Sequence, residues 1–224
     1  MDHFDEKIAI IGAGPAGLTA AFYLAETGYR PTVFEKSEHP GGMLRYGIPS
    51  YKLEKDLLDA EIDVAKAMGV EIKTGIEVGK DVTIQQLREQ GYKAFYIAIG
   101  CAAGRLPGLE NENAEGVMTA IDYLHDANCG NAPFAGKVVV VGGGNVAIDA
   151  SRVSARNAAS SVLQFSLEQE QDMPASVEEI KEALNLAGLE FVTVYDAFTR
   201  NEPNSESERI YVVARECQKN QVSK

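Results

Sequence analysis

An α/β fold in two halves is what this sequence predicts, and three observations carry it. Ile8-Ala9-Ile10-Ile11-Gly12-Ala13-Gly14-Pro15-Ala16-Gly17 is an apolar run that breaks into glycines and opens a helix-forming stretch. Val138-Val139-Val140-Val141-Gly142-Gly143-Gly144-Asn145-Val146-Ala147 repeats that arrangement. Around both segments, strand-like and helix-like runs alternate. A strand, a glycine turn and a helix N-terminus in that order place backbone N–H groups against a pyrophosphate. Two such segments imply two Rossmann-like dinucleotide-binding units, two nucleotide cofactors and electron transfer between them.

Composition bounds the alternatives. A chain of 224 residues has room for one large domain or two small ones, and 45% hydrophobic with 24% charged residues is ordinary for a soluble globular protein. No apolar run approaches the roughly 18 residues of a membrane span, and the polar start has no signal-peptide character. Cys101, Cys129 and Cys217 form no Cys-x-x-Cys pair, which fits a reducing, cytoplasmic setting. Three thiols also exclude a self-contained four-thiolate iron–sulfur site, and no metal site is expected. The net charge of −12 opposes binding to nucleic acid or an anionic membrane. It is compatible with a basic partner or simply with a solvated acidic surface.

In the first half, a strand at 8–11 leads into a helix at about 15–27, which Gly28 stops. A second strand at 30–34 ends at Glu35. That acid lies near the ~20-residue spacing past the first glycine at which a carboxylate accepts hydrogen bonds from an adenosine ribose. The alternative is a surface acid at a strand end. The Gly41-Gly42 pair lets backbone lie against a ligand where any Cβ would collide. As a bare dipeptide it would mark a simple turn.

The longer run Pro40-Gly41-Gly42-Met43-Leu44-Arg45-Tyr46-Gly47-Ile48-Pro49, preceded by Glu35-Lys36, closely resembles the flavin-domain stretch of the glutamate synthase small-subunit family. That family includes the N-terminal reductase part of dihydropyrimidine dehydrogenase. The resemblance implies FAD in the first site. Gly41 and Gly42 would contact its pyrophosphate or ribityl chain, with Lys36, Met43, Leu44 and Arg45 in the same cofactor-binding stretch.

An amphipathic helix follows at 54–68, closed by Gly69. Residues 70–78 alternate like a strand or hairpin arm, and 95–100 read as a buried strand ending in glycine. The resemblance implies that this last strand, with Ala98 and Gly100, touches FAD, and that the strand around Val78 meets the adenine. Cys101 has no partner cysteine and no neighbouring base, so it is expected to be a small buried filler.

In the second half, residues 108–136 form a connection with a short helix at 120–127. A strand at 138–141, the turn through Gly142, Gly144 and Ala147, and a helix to about 157 come next. Ala147 in place of a third glycine satisfies the close helix–strand packing required there. Asn145 and Val146 open the helix. A strand at 162–166 precedes Met173-Pro174-Ala175, which also matches the family, and Ser176 reads as the cap of a helix carrying Glu179. The resemblance places arginines that clamp the 2′-phosphate of NADPH just after the 162–166 strand, where this chain has Leu167, Glu168 and Glu170. Carboxylates repel a phosphate dianion that guanidinium forks bind. Glu168 instead suits the free 2′-hydroxyl of NADH. NADH is therefore expected in preference to NADPH, and the alternative is a drifted unit that holds no nucleotide firmly.

The expected domains are 1–107 for FAD, 108–200 for NAD(P)H, and 201–224 as a strand and tail leading back toward the flavin domain. In the resembling family a Gly-Asp segment in that return holds the ribityl chain, and none appears here. The flavin domain is thus expected to be incomplete at its C-terminal side. The chain is a fragment, a naturally short member, or one completed by a partner chain; a homo-oligomer also stays open. The function expected is an FAD-dependent NAD(P)H oxidoreductase module that passes a hydride from nicotinamide to flavin and electrons to an acceptor, with an electron-accepting partner subunit among the candidates. No catalytic side chain is needed for that step, and His3, His39 and His125 are isolated. The alternative is a non-catalytic FAD-binding scaffold. A plain NAD dehydrogenase would leave the 40–49 run without purpose.

Overall fold

The computed structural model describes residues 4–104, 106, 108, 110–131, 136–157, 159–166, 173–185, 189–196 and 210–216. The chain divides into two compact units, Met1–Ala103 and Gly104–Lys224, each with its own four-stranded sheet.

In the first unit, β1 (Lys7–Ile11) pairs in parallel with β2 (Thr32–Phe34) on one side and β4 (Tyr92–Ile97) on the other. β3 (Glu71–Lys73) pairs with β2, giving the order β3-β2-β1-β4. Side chains alternate across a strand, so Ile10 and Val33 pack on one face with Ala21 of α1 (Pro15–Glu26) and Ala65 of α3 (Lys55–Ala67). Ala9 and Phe34 pack on the other with Tyr92 and with Leu87 of α4 (Ile84–Glu89). β1 is therefore buried on both sides, as parallel sheets require. Pro15 occupies the start of α1, where its missing N–H costs no helical bond.

Several expectations are corrected here. The strand or hairpin arm expected at 70–78 holds a strand of only three residues, because the chain turns at Gly75 (φ +69°) and Gly79 (φ +105°). Val78 is left with a single bridge to Val82. β4 starts earlier than expected and stops at Ile97. It is an edge strand, with Tyr92 buried but Tyr96 and Ile97 exposed. Cys101 is exposed, not a buried filler. The helix α4 was not anticipated, although Thr83 and Gln86 form a reciprocal capping box at its start.

The second unit runs α5 (Ala120–Asn128), β5 (Lys137–Val141), α6 (Asn145–Arg156), β6 (Ser161–Ser166), α7 (Val177–Asn185), β7 (Leu189–Asp196) and β8 (Ile210–Glu216). Its sheet order is β5-β6-β8-β7. β5 and β6 are parallel, whereas β8 runs antiparallel to both neighbours. Although β8 falls in the 201–224 segment expected to lead back toward the first unit, it lies between β6 and β7 in this second sheet. Tyr123, Leu124, Val140, Ala150, Val153 and Val162 form the core between α5, α6 and the sheet. Among the described residues no helix is long and apolar enough to cross a membrane.

Two glycine turns as candidate nucleotide sites

The first turn leaves β1 at Gly12, whose N–H donates to the Phe34 carbonyl at 2.8 Å. Two of its glycines are demanded by the protein's own packing. A Cβ on Gly12 would stand 2.3 Å from the Ala98 carbonyl oxygen, and one on Gly17 would stand 1.9 Å from that of Gly12. Gly14 is different. Its backbone (φ −77°, ψ −177°) suits any residue, and the nearest atom to an added Cβ is Gly42 Cα at 3.9 Å. The polypeptide does not require glycine at 14, whereas a pyrophosphate lying against the turn would.

Gly41 and Gly42 lie directly over this turn. The Gly41 N–H donates to the Ala13 carbonyl at 2.8 Å, and a Cβ on Gly42 (φ +54°) would meet Gly14 Cα at 2.8 Å. Glu35 is buried at the end of β2. Its Oε2 accepts the Ala13 N–H at 2.7 Å and its Oε1 accepts the Ser37 N–H at 2.8 Å. A carboxylate has about four lone-pair sites, so these two bonds leave acceptor capacity. Pro15 and Ala16 are exposed at the start of α1, and Lys36 is exposed beyond Glu35. Ala98 extends the β1–β4 pairing by donating its N–H to Ile11, and Gly100 (φ +68°) is exposed beyond it. Val78 is half-buried against the Phe34–Tyr92 cluster.

The run after Gly42 forms a one-turn helix, α2 (Met43–Tyr46), with Met43 and Leu44 half-buried. Two cations brace it. Arg45 donates Nε to the Pro40 carbonyl at 2.6 Å and pairs with Asp59 on α3. Lys55 donates Nζ to the carbonyls of Leu44 at 2.9 Å and Ile48 at 2.6 Å. Burial, and then the nearby Arg45 guanidinium, push the Lys55 pKa below its ordinary 10.5. Arg45, assigned to cofactor contact by resemblance, is thus engaged in shaping the loop. Lys55 and Asp59 escaped the sequence reading, because contacts from a helix to loop carbonyls leave no periodic signal.

The second turn repeats the first. The Gly142 N–H (φ +140°) donates to the Phe165 carbonyl at 2.7 Å, the counterpart of the Gly12–Phe34 bond. A Cβ on Gly144 would meet nothing within 4 Å. Ala147 is buried, while Asn145 and Val146 are exposed at the start of α6. Gln164, buried in β6, donates Nε2 to the Gly142 carbonyl at 2.9 Å and accepts the Ser151 hydroxyl at 2.7 Å. The Ala175 N–H donates to the Gly143 carbonyl at 3.0 Å, and the Ser176 N–H donates to Asn145 Oδ1 at 2.9 Å. Ser176 Oγ accepts the Glu179 N–H at 3.2 Å, the expected cap of α7. Arg152 on α6, almost wholly buried, reaches Glu179 at 3.0 Å and Glu182 at 2.8 Å on α7. Leu167, Glu168 and Glu170 lie outside the described residues.

A strand, an open glycine turn and a helix, present in both units, define the FAD/NAD(P)-binding class of α/β proteins. The chain belongs to the pyridine nucleotide-disulphide oxidoreductase family, whose model matches residues 6–219. It is 45% identical over 182 residues to the NADP(+)-dependent formate dehydrogenase subunit beta of Moorella thermoacetica, covering 80% of this chain and 26% of the relative. It is 37% identical over 198 residues to the glutamate synthase [NADPH] small chain of Escherichia coli (strain K12), covering 83% and 42%. It is 38% identical over 196 residues to the NAD-dependent dihydropyrimidine dehydrogenase subunit PreT of the same strain, covering 86% and 46%. The chain therefore spans less than half the length of these relatives. The resemblance to the glutamate synthase small-subunit family holds. Among solved structures, Mycobacterium tuberculosis FprA superposes with a TM-score of 0.69 at 20% identity, over 82% of this chain and 48% of FprA, a likeness of fold.

Proposed function

We propose that this chain is the nucleotide-binding part of an FAD-dependent NAD(P)H oxidoreductase, with FAD on the first turn and the nicotinamide nucleotide on the second. The observation that carries the reading is the open space at Gly14 and Gly144: an added Cβ meets nothing closer than 3.9 Å at Gly14 and nothing within 4 Å at Gly144, whereas at Gly12 and Gly17 it would collide with backbone. Gly12, Gly14, Gly17, Gly41 and Gly42 would bring backbone against the FAD pyrophosphate, and Glu35 would keep its spare lone pairs for the adenosine ribose. When bound, FAD accepts a hydride from the reduced nicotinamide and passes electrons onward. The protein's share is to orient the two nucleotides and exclude water. The family relatives support a nicotinamide nucleotide, and of the three described above two are named for NADP(+) or NADPH and one for NAD. Glu168 and Glu170 argue for NADH in this chain.

The FAD-binding domain would span about 1–107, and the nicotinamide-binding domain would begin near 108 and take in β8. The relatives are named as subunits or chains of larger enzymes, which supports an electron-accepting partner subunit here. Exposed thiols at Cys101 and Cys129 suit the reducing cytoplasm. Purified protein should be yellow, release FAD on denaturation, and bleach when NADH or NADPH is added without oxygen. A protein that retains no flavin from cells and takes up none added in vitro would overturn the assignment.

A further inference from the structure

The two units stitch a loop onto their glycine turns by the same bond. In the first, the residue after the leading glycine, Ala13, has its carbonyl taken by the Gly41 N–H at 2.8 Å. In the second, Gly143 has its carbonyl taken by the Ala175 N–H at 3.0 Å. Both donors sit on the segment that returns after the second strand of the unit, just beyond Phe34 and Phe165, whose carbonyls accept from Gly12 and Gly142. Met173–Ser176 is therefore the topological counterpart of the Gly41–Gly42 loop. The second unit adds one contact that the first lacks. Asn145 Oδ1, at the first position of α6, accepts the Ser176 N–H at 2.9 Å. Pro15, the corresponding first residue of α1, has no such side chain.

We infer that Met173–Ser176 forms one wall of the nicotinamide nucleotide site, and that Asn145 is a positioning residue that holds this wall against the glycine turn through Oδ1. The inference rests on the nucleotide reading of the second unit. Asn145 stands where a dinucleotide-binding residue is expected, and its amide offers two chemistries. Oδ1 accepts, which the Ser176 bond uses, and Nδ2 donates, which a direct contact to the nucleotide would use. A clamp needs only the acceptor.

That difference supplies the test. Dissociation constants for NADH and NADPH are measured on the purified flavoprotein and on Asn145→Ala and Asn145→Asp, with FAD content and melting temperature followed in each. Salt is set near 1 M, where the Debye length is only about 3 Å and repulsion between a carboxylate and the pyrophosphate is screened. Asn145→Ala should bind both nucleotides about fivefold more weakly, the scale of one lost hydrogen bond, with FAD content unchanged. Asn145→Asp keeps the acceptor for the Ser176 N–H and should return to within about twofold of the parent. If Asn145→Asp is as weak as Asn145→Ala at that salt, the donor side acts and the clamp is overturned. An unchanged affinity in Asn145→Ala overturns it equally. If the parent binds neither nucleotide, the nucleotide reading of the second unit fails, and the clamp fails with it.

Discussion

The Glu35 carboxylate accepts the backbone N–H of Ala13 at 2.7 Å, a charge-assisted bond between the end of β2 and the middle of the first glycine turn. Its second oxygen holds Ser37, the start of the loop that leads to Gly41. One acid thus ties together the strand end, the turn and the loop that covers it. In the second unit the residue after the matching Phe165 is Ser166. The bracing there falls to a neutral amide, Gln164, which grips the Gly142 carbonyl from within the sheet. The two turns share a backbone pattern and differ in the side chains that stiffen it.

Gly14 and Gly17 should separate ligand binding from folding. A Cβ added at Gly14 would meet nothing in the protein closer than 3.9 Å, so Gly14→Val should fold with a melting temperature close to the parent's and carry no FAD. At Gly17 a Cβ would stand 1.9 Å from the Gly12 carbonyl oxygen, so Gly17→Val should lose about 3 kcal/mol or more of stability from overpacking. Flavin content and thermal melts decide both. Full flavin retention by Gly14→Val would end the FAD assignment.

Lys55→Met should loosen the run after Gly42. It removes two bonds to the carbonyls of Leu44 and Ile48. Bonds from a charged donor contribute more than neutral ones, so a loss of about 2 kcal/mol is expected, with weaker flavin retention. The urea midpoint should fall with the slope unchanged. Lys66→Met is the control. Its exposed pair with Asp63 should contribute less than about 0.5 kcal/mol.

What the sequence made legible follows from which contacts are local. The glycine turns, α1, β1, α5, α6 and the Ser176 cap are written in short-range patterns: apolar runs, a helix-stopping glycine, a capping spacing. The FAD-loop glycines were legible through the 40–49 run. Lys55, Gln164 and Arg152 were not, because each acts across a fold the pattern does not encode. β4 was misplaced because the apolar stretch around Phe95–Ile99 reads as buried, yet the strand lies at a sheet edge with its far end exposed. β8 was placed in the wrong neighbourhood because strand pairing over long separations has no local signature.

Arg152→Ala should uncouple α7 from α6. The guanidinium is almost wholly buried and joins Glu179 and Glu182, of which Glu182 is half-exposed. Removing one partner of a buried pair costs about 3–5 kcal/mol, and the exposure of Glu182 puts this case at the low end. Because α7 begins at the capped Ser176 segment, nicotinamide affinity should fall along with stability while FAD content holds. Calorimetry and nucleotide titration check the two effects, and an Arg152→Ala protein as stable as the parent would refute the coupling.

NADH should reduce the bound flavin faster than NADPH. Glu168 and Glu170 stand in the stretch where the resembling family places phosphate-binding arginines. Two carboxylates there should raise the cost of binding a 2′-phosphate by about 1–3 kcal/mol, the scale of a lost charge-assisted contact. The prediction runs against the names of most relatives, which makes it informative. Leu167→Arg with Glu168→Arg should move the preference toward NADPH by restoring guanidinium forks suited to a phosphate. Stopped-flow reduction with each nucleotide, in the parent and the double variant, measures the preference directly. Faster reduction of the parent by NADPH would show that the acids do not face the 2′ position and would withdraw the NADH preference.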